Sequence, residues 1–273
     1  MSHAQCPIPC LKVHTMSTPV VLDLPSLLQR LTPLIRDAGQ VIMDIYATDF
    51  DVTHKGDDSP VTVADQKAEA VILAGLATLA PGIPVVAEEA VAAGHIPEVS
   101  DCFFLVDPLD GTKEFISRNG EFTVNIALIQ HGRPVLGLVY APAIGRLFGG
   151  AEGQGAWLED AQGRRAIACR SVPAEGLTVV ASRSHGDETA LDAFLNGRTV
   201  ASRTNAGSSL KLCLVAAGEA DLYPRLGRTM EWDIAAGDAV LRAAGGKVCK
   251  LDGTLLSYGK AGWDNPHFAA SGL

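Results

Sequence analysis

The chain has 273 residues, 47% apolar and 5% aromatic, with 28 glycines. That length buries a large core in one domain or two fused lobes, and the glycine-rich, aromatic-poor composition favours α/β over a β-sandwich. The formal net charge of −9 excludes a nucleic-acid groove, which needs basic surface; an anion would have to be held by metal ions or a few placed Lys and Arg.

The opening MSHAQCPIPCLKVHT lacks the apolar block of a secretory leader, and residues 1–18 read as a tail outside the fold. His3, Cys6, Cys10 and His14 there match no zinc-module spacing. Leu24, Leu27, Leu28, Leu31, Ile35, Ala38, Val41, Ile42 and Ile45 recur at helical spacing. They predict an amphipathic helix, or two if Pro33, after a cap at Thr32, divides it. A polar loop from His54 to Ser59 leads to a second helix from about Ala64, with Ala68, Val71, Ile72 and Leu79 inward. The uncharged stretch Ala70 to Ala87 has nearly the length of a membrane span. Pro81, Gly82 and Pro84 break it into a helix and a strand, so no integral membrane segment is expected.

Two short apolar runs, IPVVA and CFFLV, predict buried strands that deliver acids at their C-terminal ends. From Phe122 the pattern alternates, with Phe122, Val124, Ile126 and Leu128 on one face and Thr123, Asn125 and Ala127 on the other. PVLGLVYAP and RLFGGAE continue it, predicting an antiparallel meander. After Arg165 the order is strand (LTVVAS), helix (186–195), strand, helix (208–217), strand (ADLYP) and helix (233–244). The expected organisation is one catalytic domain over 19–273, with lobes of about 19–165 and 166–273. Of the six cysteines, Cys102, Cys169, Cys213 and Cys249 sit in apolar runs and read as small buried hydrophobes. Without a C-x-x-C pair the set indicates a reducing, cytoplasmic compartment.

The segment LVDPLDGTKEF carries the chemistry. Asp107 ends a predicted strand, Pro108 fixes the backbone, and Asp110 follows three residues on. Carboxylates this close on a rigid turn repel unless a cation lies between them, and hard oxygen ligands suit magnesium. Gly111 permits a tight turn, and the predicted helix start at Thr112 would offer backbone N–H groups to a phosphate. The same residues also read as an acidic turn before a helix cap. Glu88 and Glu89 close the preceding strand. Asp65, in VTVADQ, and Asp233, in EWDIAAGDAV, each begin a helix, where the helix dipole alone favours an acid. Calcium held in an EF-hand is excluded, because the D-x-D-x-D-G spacing is absent.

Taken together and in order, PVTVADQ, VVAEE followed by DPLDGT, and WDIAAGDAVLRAAGG resemble the signatures of the inositol monophosphatase superfamily, lithium-sensitive and magnesium-dependent phosphatases. The resemblance runs from about Leu24 to the C-terminus. It implies an α/β fold of alternating helix and sheet layers, and two or three Mg2+ held by Glu88, Asp107, Asp110, Asp233 and the carbonyl oxygen of Leu109. It further implies that Asp65 and Thr112 hold and activate the attacking water.

Within the superfamily, GTKEF, ASRSH, GSSLK and ADLYPRLGRTMEWD resemble the CysQ-type 3'(2'),5'-bisphosphate nucleotidases. That branch implies removal of the 3'-phosphate from 3'-phosphoadenosine 5'-phosphate, linked to sulfur assimilation. The resemblance places Gly111, Thr112, Ser182, His185, Gly207 and Lys211 around a small phosphorylated nucleotide, with Ser208 and Arg225 near its 5'-phosphate. Lys211 or Arg225 would supply that phosphate with a cation. Residue by residue, Lys211 also reads as a solvated helix lysine, His185 as a loop histidine and Arg225 as a turn residue. The alternatives are an inositol monophosphate or sugar-phosphate phosphatase on the same fold and, from another class, a nucleotide sensor without turnover. The expected state is a monomer or homodimer, cytoplasmic or peripheral on the cytoplasmic face of the inner membrane.

Overall fold

The computed structural model describes residues 22–54, 60–182 and 188–272. Periodic apolar positions make α1 (Leu24–Tyr46) a single helix with Pro33 inside it. Pro33 does not divide it because the carbonyl that loses a donor belongs to Gln29, on the exposed face where water can serve. Thr32 is no cap either; its hydroxyl donates to the Leu28 carbonyl at 2.8 Å. The hairpin β1 (Val52–His54) and β2 (Pro60–Thr62) leads into α2 (Val63–Leu79), which ends just before Pro81 and Gly82. No described helix is long and apolar enough to cross a membrane.

A seven-stranded sheet follows: β3 (Val85–Ala87), β4 (Cys102–Asp110), β5 (Thr123–Gln130), β6 (Arg133–Ala141), β7 (Arg146–Ala151), β8 (Gly155–Asp160) and β9 (Gly163–Ile167). β3 pairs parallel with β4, and the rest form the antiparallel meander that alternation predicts. Two five-residue helices interrupt the chain at strand ends, α3 (Glu88–Ala92) after β3 and α4 (Thr112–Ile116) after β4. Glu88 and Glu89 therefore open a helix rather than close the strand.

The rest of the chain alternates as expected: β10 (Leu177–Ser182), α5 (Glu188–Leu195), β11 (Val200–Ala206), α6 (Leu210–Ala216), β12 (Leu222–Arg225) and α7 (Glu231–Ala243). Two further strands, β13 (Lys247–Lys250) and β14 (Phe268–Ser271), complete a five-stranded sheet in the order β11-β10-β12-β14-β13.

Both faces of the seven-stranded sheet are buried, which alternation along its strands makes possible. Phe104, Val106, Val124, Ile126 and Leu128 pack with α1 and α2, whereas Phe103, Leu105, Ala127 and Ile129 pack with α6, α7 and the second sheet. On the far face of the five-stranded sheet, Val179 and Leu222 meet Leu191, Phe194 and Leu195 of α5. The described residues thus stack as helices, sheet, helices, sheet, helix. Of the four described cysteines, all unpaired, only Cys213 is fully buried; Cys102, Cys169 and Cys249 are half-buried.

One packing detail sets where α7 lies. Gly137 of β6 faces Ala236 and Ala239 of α7, and a Cβ there would sit 2.8 Å from the Ala239 Cβ and closer still to the Ala236 carbonyl oxygen. Gly150 of β7 likewise faces Ala243, with 2.8 Å left for a Cβ. Small residues on both sides let the helix lie almost on the sheet backbone. Gly137→Val should push α7 off the sheet and destabilise the protein by about 3 kcal/mol, near the upper range for overpacking. A urea midpoint equal to wild type would show the contact to be compliant.

Candidate active site

Four of the acids singled out in the sequence, Glu88, Asp107, Asp110 and Asp233, come from three different elements and converge on one cavity of about 680 Å3. Asp107 and Asp110 reach it through a defect in β4. The β4–β5 register runs to Asp107↔Asn125 and resumes at Asp110↔Thr123, so β4 advances three residues while β5 advances two. The extra residue is a bulge at Pro108 and Leu109, where proline has no ladder N–H to lose. In an unbroken strand, residues three apart point to opposite faces; the bulge turns both carboxylates to the same face. Asp107, only 1% exposed, accepts the Leu109 N–H at 3.0 Å.

Glu88 arrives at the first turn of α3 and Asp233 in the first turn of α7, where it accepts the Met230 N–H at 2.9 Å. Burial first, then the charges of Glu88, Asp110 and Asp233, push the Asp107 carboxyl well above the usual range. Asp233 is raised in the same way, by burial and then by Asp110 and Glu88. Burial also raises Asp110, to about 6, against the opposing pull of Lys211 and the Ser209 N–H. Buried carboxylates that raise one another's pKa are a site short of positive charge. Among the described residues, no three His, Cys, Asp or Glu side chains close into a ready-made ligand cluster. The acids stand around a shared cavity instead.

Asp65 lies behind this cavity, 2% exposed, at the start of α2. The sequence Thr62-x-x-Asp65 forms a capping box: the Thr62 N–H and hydroxyl both reach Asp65 Oδ2 at 2.8 Å, and the Ala64 N–H reaches Thr62 Oγ1 at 3.2 Å. The other carboxylate oxygen faces Thr112, whose hydroxyl lies 3.2 Å from Asp65 Oδ1 and 3.4 Å from the Leu109 carbonyl. Thr112 lines the cavity, and the left-handed Gly111 (φ 90°) is the N-cap of α4. A side chain at Gly111 would strike the Ser208 hydroxyl.

The nucleotide-side residues divide. Ser182 at the end of β10, Ser208, Lys211 and Arg225 line the cavity, while His185 lies outside the described residues. Gly207 does not line it; its N–H donates to Glu121 Oε2 at 2.8 Å, and a Cβ would meet the Glu114 side chain at 2.9 Å. Ser208 holds a left-handed backbone (φ 50°), with its hydroxyl 2.7 Å from the Asp110 carbonyl and 2.8 Å from that of Glu121.

Lys211 is not a solvated helix lysine. It is 4% exposed, its ammonium donating to the carbonyls of Ser208 at 2.6 Å and Ala206 at 3.2 Å. Burial lowers its pKa to about 8, with the Asp110 charge opposing. Arg225 donates from Nη2 to the Arg228 carbonyl at 2.6 Å; its buried Nε has no hydrogen-bond partner among the described residues.

Sequence reasoning passed over Ser209, Asn125 and Glu121, which bind these pieces to one another. Ser209 lies within GSSLK but was given no role there, and Glu121 lies in none of the motifs. Asn125 was visible only as a polar residue in an otherwise apolar strand.

Comparison with known proteins agrees with the geometry. The family model described as "Inositol monophosphatase family" matches residues 23–270. The protein named 3'(2'),5'-bisphosphate nucleotidase CysQ from Escherichia coli (strain K12) is 48% identical over 248 residues, 90% of this chain and 99% of that one. The crystal structure of CysQ from Bacteroides thetaiotaomicron superposes with a TM-score of 0.77 at 37% identity, over 90% of this chain and 97% of that one. An inositol monophosphatase from Anabaena (Nostoc) sp. PCC 7120 gives a TM-score of 0.73 at 28% identity, over 92% of each chain. On sequence, on fold and on the acids gathered around its cavity, the chain belongs to the inositol monophosphatase family.

Proposed function

We propose that this protein is a magnesium-dependent phosphatase that hydrolyses the 3'-phosphate of 3'-phosphoadenosine 5'-phosphate, yielding AMP and phosphate. The observation that carries the reading is the convergence of Glu88, Asp107, Asp110 and Asp233 on one cavity beside the Thr112–Asp65 pair. The substrate rests on the relatives: identity to the bisphosphate nucleotidase of E. coli is 48%, against 28% to the Anabaena inositol monophosphatase.

The donor set fits Mg2+, on which the family generally depends: hard oxygens, partly buried, with carboxylates raised by one another's charge. Glu88, Asp107, Asp110, Asp233 and the Leu109 carbonyl would hold two or three ions. When bound, Mg2+ supplies the Lewis acidity that a phosphate monoester, among the slowest of substrates to hydrolyse unaided, requires. The chain's own part begins with Thr112. With its own proton donated in a hydrogen bond to Asp65 Oδ1, its oxygen lone pairs accept a hydrogen bond from the attacking water and orient that water at phosphorus. As the water attacks, its proton passes to Thr112 while the Thr112 proton passes to Asp65. Thr62 fixes Asp65 from behind through two bonds to Oδ2, so the carboxylate cannot rotate away from Thr112. Gly111 and Thr112 flank the phosphate, and Ser182, Ser208 and Arg225 line the cavity beyond it for the nucleotide. His185 and Gly207 complete the proposed set. Lys211, its ammonium bonded to carbonyls of the turn 206–208, lines the same cavity and contributes its charge there.

Phosphate release should be fastest with 3'-phosphoadenosine 5'-phosphate among a panel that includes 3'-AMP, inositol 1-phosphate and fructose 1,6-bisphosphate, and should vanish in excess EDTA. Preference for inositol 1-phosphate would move the assignment to the other branch, and binding of the nucleotide without any release would make the protein a sensor.

Thr112→Ala is expected to lower kcat about 10²-fold with KM little changed. Because Gly111 is the N-cap, no capping bond is lost, and the stability cost should be about 1 kcal/mol, that of the hydrogen bond to Asp65. Full turnover in this variant would remove Thr112 from the chemistry.

The raised carboxylates also set a pH dependence. Folded Asp110 holds its proton to about pH 6, more tightly than the unfolded chain does. Without metal, stability is therefore full below the ordinary carboxylate pKa and is lost as pH rises through about 6, by on the order of 3 kcal/mol for this one group. Added Mg2+ should raise the melting temperature at about pH 7.5 and much less at about pH 5, where protons already neutralise the site. A metal-free melting temperature flat across this range would contradict the electrostatics.

A further inference from the structure

Ser209 precedes α6 as its N-cap, yet its hydroxyl makes no capping bond to that helix. Serine at such a position ordinarily turns its oxygen onto the first free N–H groups. Here the side chain points elsewhere. The hydroxyl donates to the backbone carbonyl of Asp233 in α7 and accepts from Asn125 Nδ2 at 3.1 Å. The Ser209 N–H donates to Asp110 Oδ2 at 2.7 Å. Asn125 Nδ2 lies 3.4 Å from the same Asp110 oxygen, and Asn125 is the cross-strand partner of Asp107. Ser209 is 3% exposed and Asn125 fully buried.

We infer that Ser209, supported by Asn125, is a positioning residue that fixes the spacing between Asp110 on the bulged strand and Asp233 at the start of α7. This inference rests on the proposed metal-dependent phosphatase reading and adds to it the second serine of GSSLK, a residue to which the motifs assign no role. The two acids belong to halves of the chain more than 120 positions apart, and they repel each other. Left to that repulsion, β4 and α7 would settle with the carboxylates further apart than a shared cation tolerates. A single residue that bonds the side chain of one and the peptide of the other opposes this directly. The Asp233 carbonyl lies inside α7, where it is available to its own helix as well. Losing the Ser209 hydroxyl therefore removes the tie without leaving that carbonyl stranded.

The test uses Mn2+ as a paramagnetic probe, with free ion followed by electron paramagnetic resonance on the full-length chain. Ser209→Ala should weaken Mn2+ binding about tenfold or more, the range found when groups supporting metal ligands are removed. Ser209→Thr, which keeps the hydroxyl, should recover most of that loss. Melting curves separate positioning from mere structure, since a purely structural role lowers the melting temperature and leaves Mn2+ affinity alone. Wild-type affinity in folded S209A overturns the inference, and so does an equal loss in S209A and S209T. If S209A fails to fold, Asn125→Ala decides: a folded N125A with wild-type Mn2+ affinity overturns it, and a weakened one upholds it. A wild-type protein that neither binds Mn2+ nor releases phosphate would instead defeat the phosphatase reading itself.

Discussion

Four carboxylates around one partly buried cavity repel one another, and much of the architecture holds them there. Burial alone would drive Asp107, Asp110 and Asp233 to take up protons, and nearby charge adds to that tendency. The fold resists through backbone rather than through countercharge. A bulge aims Asp107 and Asp110 to one face, a helix N-terminus receives Asp233, and another receives Glu88. Lys211 is the buried cation nearest to balancing them, and its ammonium is bonded to main-chain carbonyls rather than to any of the acids.

This explains why the layers are packed so closely around α7. The helix start must stand at a set height above the bulged strand, and glycines in β6 and β7 opposite alanines in α7 allow that approach. The turn 207–209 then bridges the remaining distance. Ser208 bonds the carbonyls of Asp110 and Glu121, Ser209 bonds Asp110 and Asp233, and Lys211 ties down the carbonyls behind them. A segment that resembles a nucleotide-binding motif is also, in this molecule, the structural link between the two sheets' contributions to the site.

The Thr112–Asp65 pair shows the same economy. A capping box is an ordinary way to begin a helix, worth about 1 kcal/mol. Here the capping carboxylate uses one oxygen for Thr62 and presents the other to Thr112. The helix start and the water-activating pair are one arrangement, so neither geometry can drift without the other.

Much of this was legible in the chain itself. Period-two and period-3.6 patterns determined the meander, α1, α2 and the later alternation, because burial of one face or both is written directly into residue order. The acids and Thr112 were legible for a different reason: singly each reads as a turn, loop or helix-cap residue, and only their joint order, which resembles the signatures of the inositol monophosphatase superfamily, pointed to a site. The strands β13 and β14 were not, being four residues each and paired only through long-range contacts. Nor was the burial of Lys211, since a lysine at a helix start reads as solvated until the turn it holds is known. Which face Asp110 shares with Asp107 depended on a bulge that is visible only in register with β5. That Ser209 reaches both Asp110 and Asp233 depended on the packing of α6 against α7. Sequence determines what each segment would bury; only the assembled layers decide which buried polar groups meet, because hydrogen bonds between distant segments have no local pattern to announce them.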